Sequence, residues 1–249
     1  MEQFKVSIII PAYNAAEYIS ATIGSIKEQT YDNWELIIVE NGSTDSTRDV
    51  LRQIDDKRII VSLNDENLGA ARSRNIGIDM ASGRFIAFID ADDIWKSDKL
   101  EKQVAYMLKE DIAFSFTGYE FGDDKAEPTG KIVCVPKTLS YNEALKNTTI
   151  FTSTVMFDMN KLKKEDIQMP CVKSEDTATW WRILRSGYTA YGINDNLCIY
   201  RRPAKSLSSN KLEAVRRIWN LYRRVEGLSI VKSVICFVGW GFRAVKRRV

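Results

Sequence analysis

The sequence contains no histidine among its 249 residues. A Ser-His-Asp triad, a Cys-His dyad, a histidine general base and a histidine-ligated metal are therefore excluded. Cysteine is also scarce, and no two cysteines form a CxxC pair, which argues against a zinc site or a disulfide framework and fits a reducing cytosol. The four cysteines are Cys134, Cys171, Cys198 and Cys236. Acid–base chemistry therefore falls mainly to the carboxylates.

Long hydrophobic runs are absent as well. No stretch reaches the roughly 20 uninterrupted apolar residues of a membrane-spanning helix. The start of the chain at residues 1–5 has no excess of basic residues, and the short apolar run after it ends at Pro11. This pattern does not match a signal peptide, so we expect a cytoplasmic protein.

Charge is unevenly distributed along the chain, although the net charge is only +3. Residues 201–249 contain 13 Lys and Arg against 2 Asp and Glu, which leaves 23 against 31 in residues 1–200. Residues 1–200, which we call the body, thus carry a net charge of −8, and residues 201–249, which we call the tail, carry +11. A basic tail of this kind is typical of proteins that contact an anionic surface, either a membrane or a nucleic acid.

Apolar strands and helices alternate along the first 90 residues, which predicts an α/β fold with a parallel sheet covered on both faces. The predicted strands are 6–10, 34–39, 58–61 and 84–89, and the helices between them are 15–29, 44–54 and 68–81. Polar loops at 11–14, 40–45 and 90–93 follow three of these strands. Ligands of open α/β sheets bind beyond the carboxyl ends of the strands, so we expect the three loops to form one site.

The second half of the chain has a less regular pattern. Its predicted elements are helices at 97–109 and 175–185, strands at 112–117 and 150–157, and a polar region of weak alternation at 118–131. Ser140 and Glu143 have the spacing of a capping box, which predicts a short helix there.

Three carboxylates follow the fourth strand in the sequence Asp90-Ala91-Asp92-Asp93. Like charges this close repel one another, and a bound divalent cation relieves the repulsion. Hard Mg²⁺ and Mn²⁺ prefer carboxylate and phosphate oxygens, so the cluster fits a metal–diphosphate site. The alternative is a solvated loop whose aspartates make turns and caps.

The other polar segments allow two interpretations each. Residues 40–45, Glu-Asn-Gly-Ser-Thr-Asp, offer acidic and amide groups to a base or ribose, or they are a plain helix cap and turn. Arg72 and Arg74 lie on a helix of small residues and suit a phosphate, although exposed helical arginines are common.

Six stretches stand out by their order and spacing: Ser7-Ile8-Ile9-Ile10-Pro11-Ala12-Tyr13-Asn14, Val39–Asp45, Asn67-x-Gly69, Arg74-Asn75-x-Gly77, Gly83 and Asp90–Asp93. Together they resemble glycosyltransferase family 2, whose members have the GT-A fold: a mixed, mainly parallel sheet flanked by helices. The resemblance continues at Glu175-Asp176-x-x-x-Trp180 and more weakly at Tyr200-Arg201 and Ser206-x-Ser208. It covers about residues 4–210, which implies one domain with a nucleotide-sugar-binding half (1–117) and an acceptor-binding half (118–210).

The resemblance implies a role for each matching residue. Asp90 and Asp92 match the Asp-x-Asp motif, in which the first acid approaches the ribose and the second binds Mn²⁺ or Mg²⁺ on the diphosphate, with Asp93 as a further candidate ligand. Asp176 matches the catalytic base. The residues implied for the nucleotide sugar, usually a UDP-sugar, are Pro11, Ala12, Tyr13, Glu40, Asn41, Asn67, Arg74, Asp90, Ala91 and Asp92. Those implied for the acceptor side are Glu175, Trp180, Arg201 and Ser206, the last two in a segment that commonly closes on donor or acceptor. Trp181, beside Trp180, either shapes an acceptor pocket or packs in the core.

The expected chemistry needs a metal to stabilise the leaving diphosphate and a base to take the acceptor proton, and both are available without histidine. Direct attack opposite the leaving group inverts the anomeric centre. Two departures from the family matter here. Many members carry two acids where this chain has Glu40-Asn41, and many supply a late histidine to the metal where segment 201–208 has none. The metal would then rely on oxygen ligands or water, or arginine or lysine would assist the diphosphate.

The C-terminal region 211–249 is predicted to be helical and basic. On a helical wheel of residues 228–249, Lys232, Arg243 and Lys246 lie opposite one apolar face. That face contains Ile230, Val231, Val234, Phe237, Val238 and Val245. An amphipathic helix of this kind suits the interface of an anionic membrane. The alternative is docking on the body or on a second subunit, and nucleic acid is disfavoured because no nucleic-acid module is recognisable.

The resemblance implies an inverting, metal-dependent hexosyl- or N-acetylhexosaminyltransferase. It would use a UDP-sugar and a lipid-linked saccharide, such as a sugar on a polyprenyl diphosphate, in bacterial surface polysaccharide synthesis. Such an enzyme would be peripheral on the inner face of the cell membrane. The alternative is a non-catalytic nucleotide-binding scaffold of the same fold.

Overall fold

The computed structural model describes residues 4–202 and 211–246. Its strands are β1 (Val6–Ala12), β2 (Trp34–Asn41), β3 (Ile59–Asn64), β4 (Phe85–Phe88), β5 (Ile94–Trp95), β6 (Phe114–Gly122), β7 (Pro128–Val133), β8 (Thr138–Leu139), β9 (Met156–Asp158) and β10 (Ala190–Arg201). Its helices are α1 (Ile19–Lys27), α2 (Thr47–Arg52), α3 (Ala70–Met80), α4 (Lys99–Lys109), α5 (Tyr141–Ala144), α6 (Lys164–Ile167), α7 (Glu175–Arg185), α8 (Lys211–Asn220) and α9 (Ile230–Lys246).

The strands of the described residues form one mixed sheet in the order β3-β2-β1-β4-β9-β6-β10-β5, with β7 beside β6 and β8 beside β10. The long pairings β1–β2, β1–β4, β2–β3 and β6–β10 are parallel. The shorter pairings through β5, β7, β8 and β9 are antiparallel. The α/β class predicted from the alternating pattern is therefore confirmed, with an antiparallel strand, β9, between two parallel groups.

Strands β1 and β2 are buried on both faces, as expected for parallel strands that are continuous apolar runs. Helix α3 lies against this pair, and its Gly77 permits the close approach. A Cβ atom at Gly77 would lie 2.4 Å from Ile9 Cγ2. The small residues of α3 therefore bring the helix, and the arginines on it, close to the carboxyl ends of the strands.

Two segments of the second half differ from their predictions. Residues 118–131, predicted to be irregular, form a hairpin of β6 and β7, closed by a turn in which Asp123 Oδ1 accepts hydrogen bonds from two backbone amides. Residues 150–157, predicted to be one strand, contain a 3₁₀ turn at Thr152–Thr154 followed by the short β9. The turn forms because the Ser153 hydroxyl bonds outside the sheet, to Asp90 and Asp93.

The C-terminal region packs against α7 and α5 through aromatic and polar contacts. Tyr222, in a π-helical turn at Leu221–Val225, stacks on Trp181 with ring centroids 5.3 Å apart and donates to the Leu145 carbonyl. Helix α9 docks through buried Cys236 and through Trp240, whose Nε1 donates to Thr148 Oγ1 at 3.1 Å. Among the described residues, no helix combines the length and hydropathy needed to cross a membrane.

Lys99 is a fully buried cation at the start of α4, 3.9 Å from the centre of the Trp95 ring, and it donates to Gln103. Burial lowers its pKa to about 7. A lysine whose folded pKa lies below its unfolded value destabilises the protein at low pH, and this penalty declines as pH rises from about 7 towards the unfolded value.

We therefore predict that wild type gains roughly 2 kcal/mol in unfolding free energy relative to Lys99→Met between pH 6.5 and pH 9. Urea denaturation of both proteins at the two pH values checks this. Lys102→Met, on the exposed side of the same helix, is the matched control. Its difference in unfolding free energy from wild type should change little between the two pH values. The prediction would be contradicted if wild type and Lys99→Met differed in unfolding free energy by the same amount at both pH values.

Candidate active site

The three polar loops meet at the carboxyl ends of β1, β2 and β4, where they line one cleft of about 490 Å³. The cleft is lined by Pro11, Ala12, Tyr13, Asn14, Ala15, Tyr18, Asn41, Asn67, Gly69, Ala70, Arg74, Asp90, Ala91 and Asp92. Its size suits a small-molecule ligand. Parallel pairing of the three strands explains why loops far apart in the sequence come together.

Asn41 and Asn67 connect two walls of the cleft. Asn41 Nδ2 donates to Asn67 Oδ1 at 2.8 Å, and Asn41 Oδ1 accepts from the Leu68 amide at 2.9 Å. Gly42, which follows, has φ +72°, and a Cβ atom there would lie 2.7 Å from the Glu66 carbonyl carbon. Only glycine permits this approach, so the motif fixes the shape of the wall. Tyr13 also lines the cleft and is 45% exposed.

Glu40 does not face the cleft, which corrects its predicted contact with the nucleotide. Its side chain is fully buried, accepts from the Ser43 amide at 2.6 Å and pairs with Arg48 at 2.5 Å. Burial opposes the negative charge, but the hydrogen bonds from Ser43 and Arg48 outweigh burial and lower the pKa of Glu40. These partners hold Glu40 in place, so it supports the loop that positions Asn41.

Asp90 and Asp92 both line the cleft. Burial and the neighbouring charge of Asp90 raise the pKa of Asp92 to about 6. Among the described residues, no group of three acidic, histidine or cysteine side chains surrounds a possible metal position. Two crowded carboxylates that open onto a cleft nevertheless fit a hard divalent cation that takes its other ligands from phosphate oxygens and water.

Asp93 lies behind the cleft rather than in it, so its candidacy as a metal ligand is corrected. The residue is fully buried, and it accepts hydrogen bonds from the Ser153 hydroxyl and from the Arg201 amide. Burial, with the charges of Asp92 and Asp90, raises its pKa well above the usual value. Its partners make Asp93 a link between the carboxylate loop, the 3₁₀ turn and the end of β10.

Arg201 lies beside the Asp92 loop. Its Nε donates to the Asp92 carbonyl at 2.6 Å and its Nη1 to the Asp124 carbonyl at 2.7 Å. The guanidinium carbon lies 4.7 Å from the centre of the Tyr18 ring. Ser206, the other predicted residue of segment 201–208, lies outside the described residues.

Asp176 lies in the first turn of α7, where two hydrogen bonds orient its carboxylate. Oδ2 accepts from Thr152 Oγ1 at 3.0 Å, and Oδ1 accepts from the Thr177 amide at 2.6 Å. Thr152 was not predicted from the sequence, and the only signal was a run of three hydroxyl residues, 152–154, within an apolar stretch.

Arg74 joins the two carboxylate groups of the site. Its Nη2 lies 2.6 Å from Asp90 Oδ1 and its Nη1 lies 2.7 Å from Glu175 Oε1, the residue before Asp176. Burial opposes the charge of Arg74, but Asp90 and Glu175 outweigh it and raise the arginine pKa. Burial also raises the pKa of Glu175. Arg74 therefore holds the Asp-x-Asp loop beside the start of α7.

Trp180 and Trp181 belong to the core, so the predicted place of Trp180 on the acceptor side is wrong, and Trp181 follows the alternative of core packing. Trp180 is 2% exposed, with its ring 5.4 Å from Phe157 and 5.6 Å from Phe114. Trp181 is covered by Tyr222. Both indoles lie on the face of α7 that packs inward, because burying large aromatic surface there stabilises the helix on the sheet.

The model of a family described as glycosyl transferase family 2 matches residues 7–167. The chain is similar to the putative teichuronic acid biosynthesis glycosyltransferase TuaG of Bacillus subtilis (strain 168), with 45% identity over 247 residues, or 98% of this chain and 97% of the relative. It is also similar to the Escherichia coli UDP-Glc:alpha-D-GlcNAc-diphosphoundecaprenol beta-1,3-glucosyltransferase WfgD, with 40% identity over 89% of this chain and 86% of the relative.

Solved structures resemble the whole fold. Staphylococcus aureus TarS 1–349 in complex with UDP-GlcNAc has a TM-score of 0.72 at 20% identity and covers 95% of this chain and 71% of that chain. The mannosyltransferase PcManGT from Pyrobaculum calidifontis, in complex with GDP-Man and Mn²⁺, has a TM-score of 0.71 at 18% identity and covers 96% of this chain and 69% of that chain. These likenesses confirm the predicted fold class.

Proposed function

Because the chain belongs to glycosyltransferase family 2, we propose that it transfers one sugar from a UDP-sugar to a hydroxyl of a saccharide carried on a polyprenyl diphosphate. The product would extend a bacterial surface polysaccharide. The observation that carries the proposal is the Arg74 bridge, which joins the Asp-x-Asp loop to the start of α7, where Asp176 lies. The name of WfgD describes a UDP-Glc donor and a diphosphoundecaprenol-linked acceptor, and TarS was solved with UDP-GlcNAc.

The cation proposed for the site is Mn²⁺ or Mg²⁺, held by Asp90 and Asp92. When bound, a divalent cation stabilises the negative charge of a departing diphosphate. The neighbouring wall offers Tyr13 as a surface on which a base can stack, and Asn41 and Asn67 keep that wall in shape. These side chains therefore orient the nucleotide so that the sugar extends towards α7.

Asp176 acts as the base in this proposal. Its carboxylate takes the proton of the acceptor hydroxyl as the acceptor oxygen forms a bond to the anomeric carbon. The bond between that carbon and the diphosphate breaks, and the electron pair leaves with UDP. Attack opposite the leaving group inverts the anomeric centre and needs no covalent intermediate. Thr152 and the Thr177 amide hold the carboxylate in one orientation for this transfer.

A polyprenyl-linked acceptor lies in a membrane, so we propose that the protein acts at the cytoplasmic face of the cell membrane, bound there through its basic C-terminal region. The tail carries +11 against −8 for the body, which favours attraction to anionic lipids at that end of the molecule. A non-catalytic nucleotide-binding scaffold would share the cleft but would not need an oriented carboxylate at Asp176.

Nucleotide binding is tested by thermal unfolding of wild type, Asp92→Ala and the surface control Asp195→Ala with UDP, GDP, CDP or dTDP, each with and without Mn²⁺. A ligand at 100 times its Kd adds about 2.7 kcal/mol to the native state. We expect stabilisation by UDP that requires Mn²⁺, persists in Asp195→Ala and disappears in Asp92→Ala. No stabilisation by any nucleotide, or equal stabilisation of Asp92→Ala, would contradict the proposed donor site.

Transfer itself is tested with UDP-sugars and a short-chain lipid diphosphate saccharide, with product detected by mass spectrometry. We expect one added hexose or N-acetylhexosamine of inverted anomeric configuration. Nucleotide binding without transfer from any UDP-sugar would favour the scaffold.

A further inference from the structure

The two C-terminal helices expose a set of large apolar side chains, which we call the outward apolar face. On α9 it consists of Ile230, Val231, Val234, Ile235, Val238 and Phe242, which are 46–74% exposed. Leu212 and Val215 on α8 add to it, at 72% and 39% exposed. At 100° per residue, the six residues of α9 fall within a sector of about 140° that contains no charged residue. Exposed apolar surface gathered in this way marks an interaction site.

This face is not the side by which α9 docks on the body. The docked side contains Ser233 and Cys236, which are buried, and Phe237 and Trp240, which are half-buried. Phe237 also contacts Trp219 of α8, with ring centroids 5.8 Å apart. Docking on the body, the alternative to membrane binding, is therefore correct for one narrow side of α9. The described residues do not cover the wider apolar side.

Cationic side chains follow one edge of the outward apolar face. Lys232 and Arg243 occupy neighbouring wheel positions three turns apart, and both reach towards α5: Lys232 Nζ lies 5.8 Å from the Tyr141 ring centre and Arg243 Nη1 lies 3.5 Å from the Lys146 carbonyl. Arg216 and Arg224 are exposed nearby along the chain. An apolar face with a basic edge is complementary to the headgroup and acyl boundary of an anionic bilayer.

We propose that the outward apolar face inserts into the surface of an anionic membrane, with α8 and α9 in the plane of the bilayer. The proposal rests on the proposed function, because a lipid-linked acceptor requires the enzyme at a membrane. A second copy of this chain is a less suitable partner for the outward apolar face. Two copies joined through this face would bring two regions of +11 together, and like charges oppose such contact.

The C-terminal helices α8 and α9 also have a defined position relative to Asp176, the proposed base. Lys173, three residues before Asp176, pairs with Glu213 of α8 at 2.6 Å. Tyr222 stacks on Trp181 further along α7, and Arg185 at its end pairs with Glu226. The membrane-binding helices are thus fixed along the length of α7. Insertion of their outward face therefore orients the start of α7 relative to the bilayer, as well as concentrating the enzyme there.

The test is co-sedimentation of the full chain with vesicles of 70% phosphatidylcholine and 30% phosphatidylglycerol, and with pure phosphatidylcholine vesicles. The variant Val234→Glu/Val238→Glu changes two exposed residues and should keep the unfolding midpoint of wild type. Leu63→Glu, 56% exposed on the edge strand β3, is the matched control. We expect the double variant to lower the vesicle partition coefficient at least tenfold and Leu63→Glu to leave it unchanged. Pure phosphatidylcholine, or 0.5 M NaCl, should also weaken wild-type binding at least tenfold.

Transfer assays separate this proposal from the proposed function. With acceptor embedded in the anionic vesicles, the double variant should transfer at least tenfold more slowly than wild type, but with a water-soluble short-chain acceptor the two should agree within twofold. Vesicle binding that depends on the outward apolar face, without transfer by any protein, would overturn the proposed function and support the membrane surface. Wild-type vesicle binding by the double variant, or a wild-type dimer that this variant converts to a monomer in sedimentation velocity, would overturn the membrane surface.

Discussion

Replacement of Asp176 by asparagine is expected to lower kcat by a factor of about 10²–10⁴, the usual contribution of a positioned general base. Asparagine has nearly the same shape and keeps an oxygen that accepts the Thr152 hydroxyl, but its neutral amide does not take a proton. UDP affinity in the presence of Mn²⁺ should stay within about twofold, because a base that acts on the acceptor contributes to turnover rather than to donor binding. Single-turnover transfer and calorimetric UDP binding measure the two effects separately.

Two further variants make this result specific. Asp195→Asn changes an exposed carboxylate on β10 and should transfer at the wild-type rate. Thr152→Ser retains the hydroxyl that bonds to Asp176, so its transfer rate should remain close to that of wild type. The rate of Thr152→Val should lie between those of wild type and Asp176→Asn. Undiminished turnover by Asp176→Asn would show that another group takes the proton.

Replacement of Arg74 by methionine is expected to lower the free energy of unfolding by about 3–5 kcal/mol, the range for breaking a buried ion pair from one side. Methionine fills much of the same space, but it leaves Asp90 and Glu175 without their shared cation. Transfer should also fall, because the Asp-x-Asp loop and the start of α7 lose the connection that holds them together. Urea denaturation at pH 7 and steady-state kinetics measure the two losses.

Arg72→Met is the matched control for this change, since Arg72 lies two residues away on α3 and is exposed. It should alter unfolding by less than about 0.5 kcal/mol. Adding Glu175→Gln to Arg74→Met should restore part of the lost stability, because the variant then contains one fewer uncompensated carboxylate. Equal stability of Arg74→Met and Arg72→Met would mean that the bridge contributes nothing.

The first half of the fold was predictable because its signals are local. Strands β1 and β2 are uninterrupted apolar runs, and the loops after them contain the glycine and hydroxyl residues of caps and turns. The second half depends on contacts between distant residues. Residues 150–157 are rich in β-branched and aromatic residues, as strands are, yet Ser153 bonds to Asp93, 60 positions earlier, and the chain turns there instead. No local pattern contains that information.

The candidate site was predictable to the level of loops and residue types, but not to the direction in which each side chain points. Glu40 and Asp93 belong to the predicted motifs, and both turn away from the cleft because Arg48 and Ser153 bind them. Trp180 matches an acceptor-side position, yet the amphipathic pattern of α7 places it in the core. Only the folded structure decides which polar groups of a motif already have partners among neighbouring residues.

The stacking of Tyr222 on Trp181 makes the C-terminal region a poor unit for recombination. A chimera that takes residues 211–246 from a relative also replaces the ring that covers Trp181, and a mismatched side chain would open the core beside α7. A crossover after Glu226 leaves this aromatic pair and the Arg185–Glu226 contact intact, and exchanges only α9. Engineered or natural exchange of α9 among family members should therefore favour breakpoints beyond residue 226.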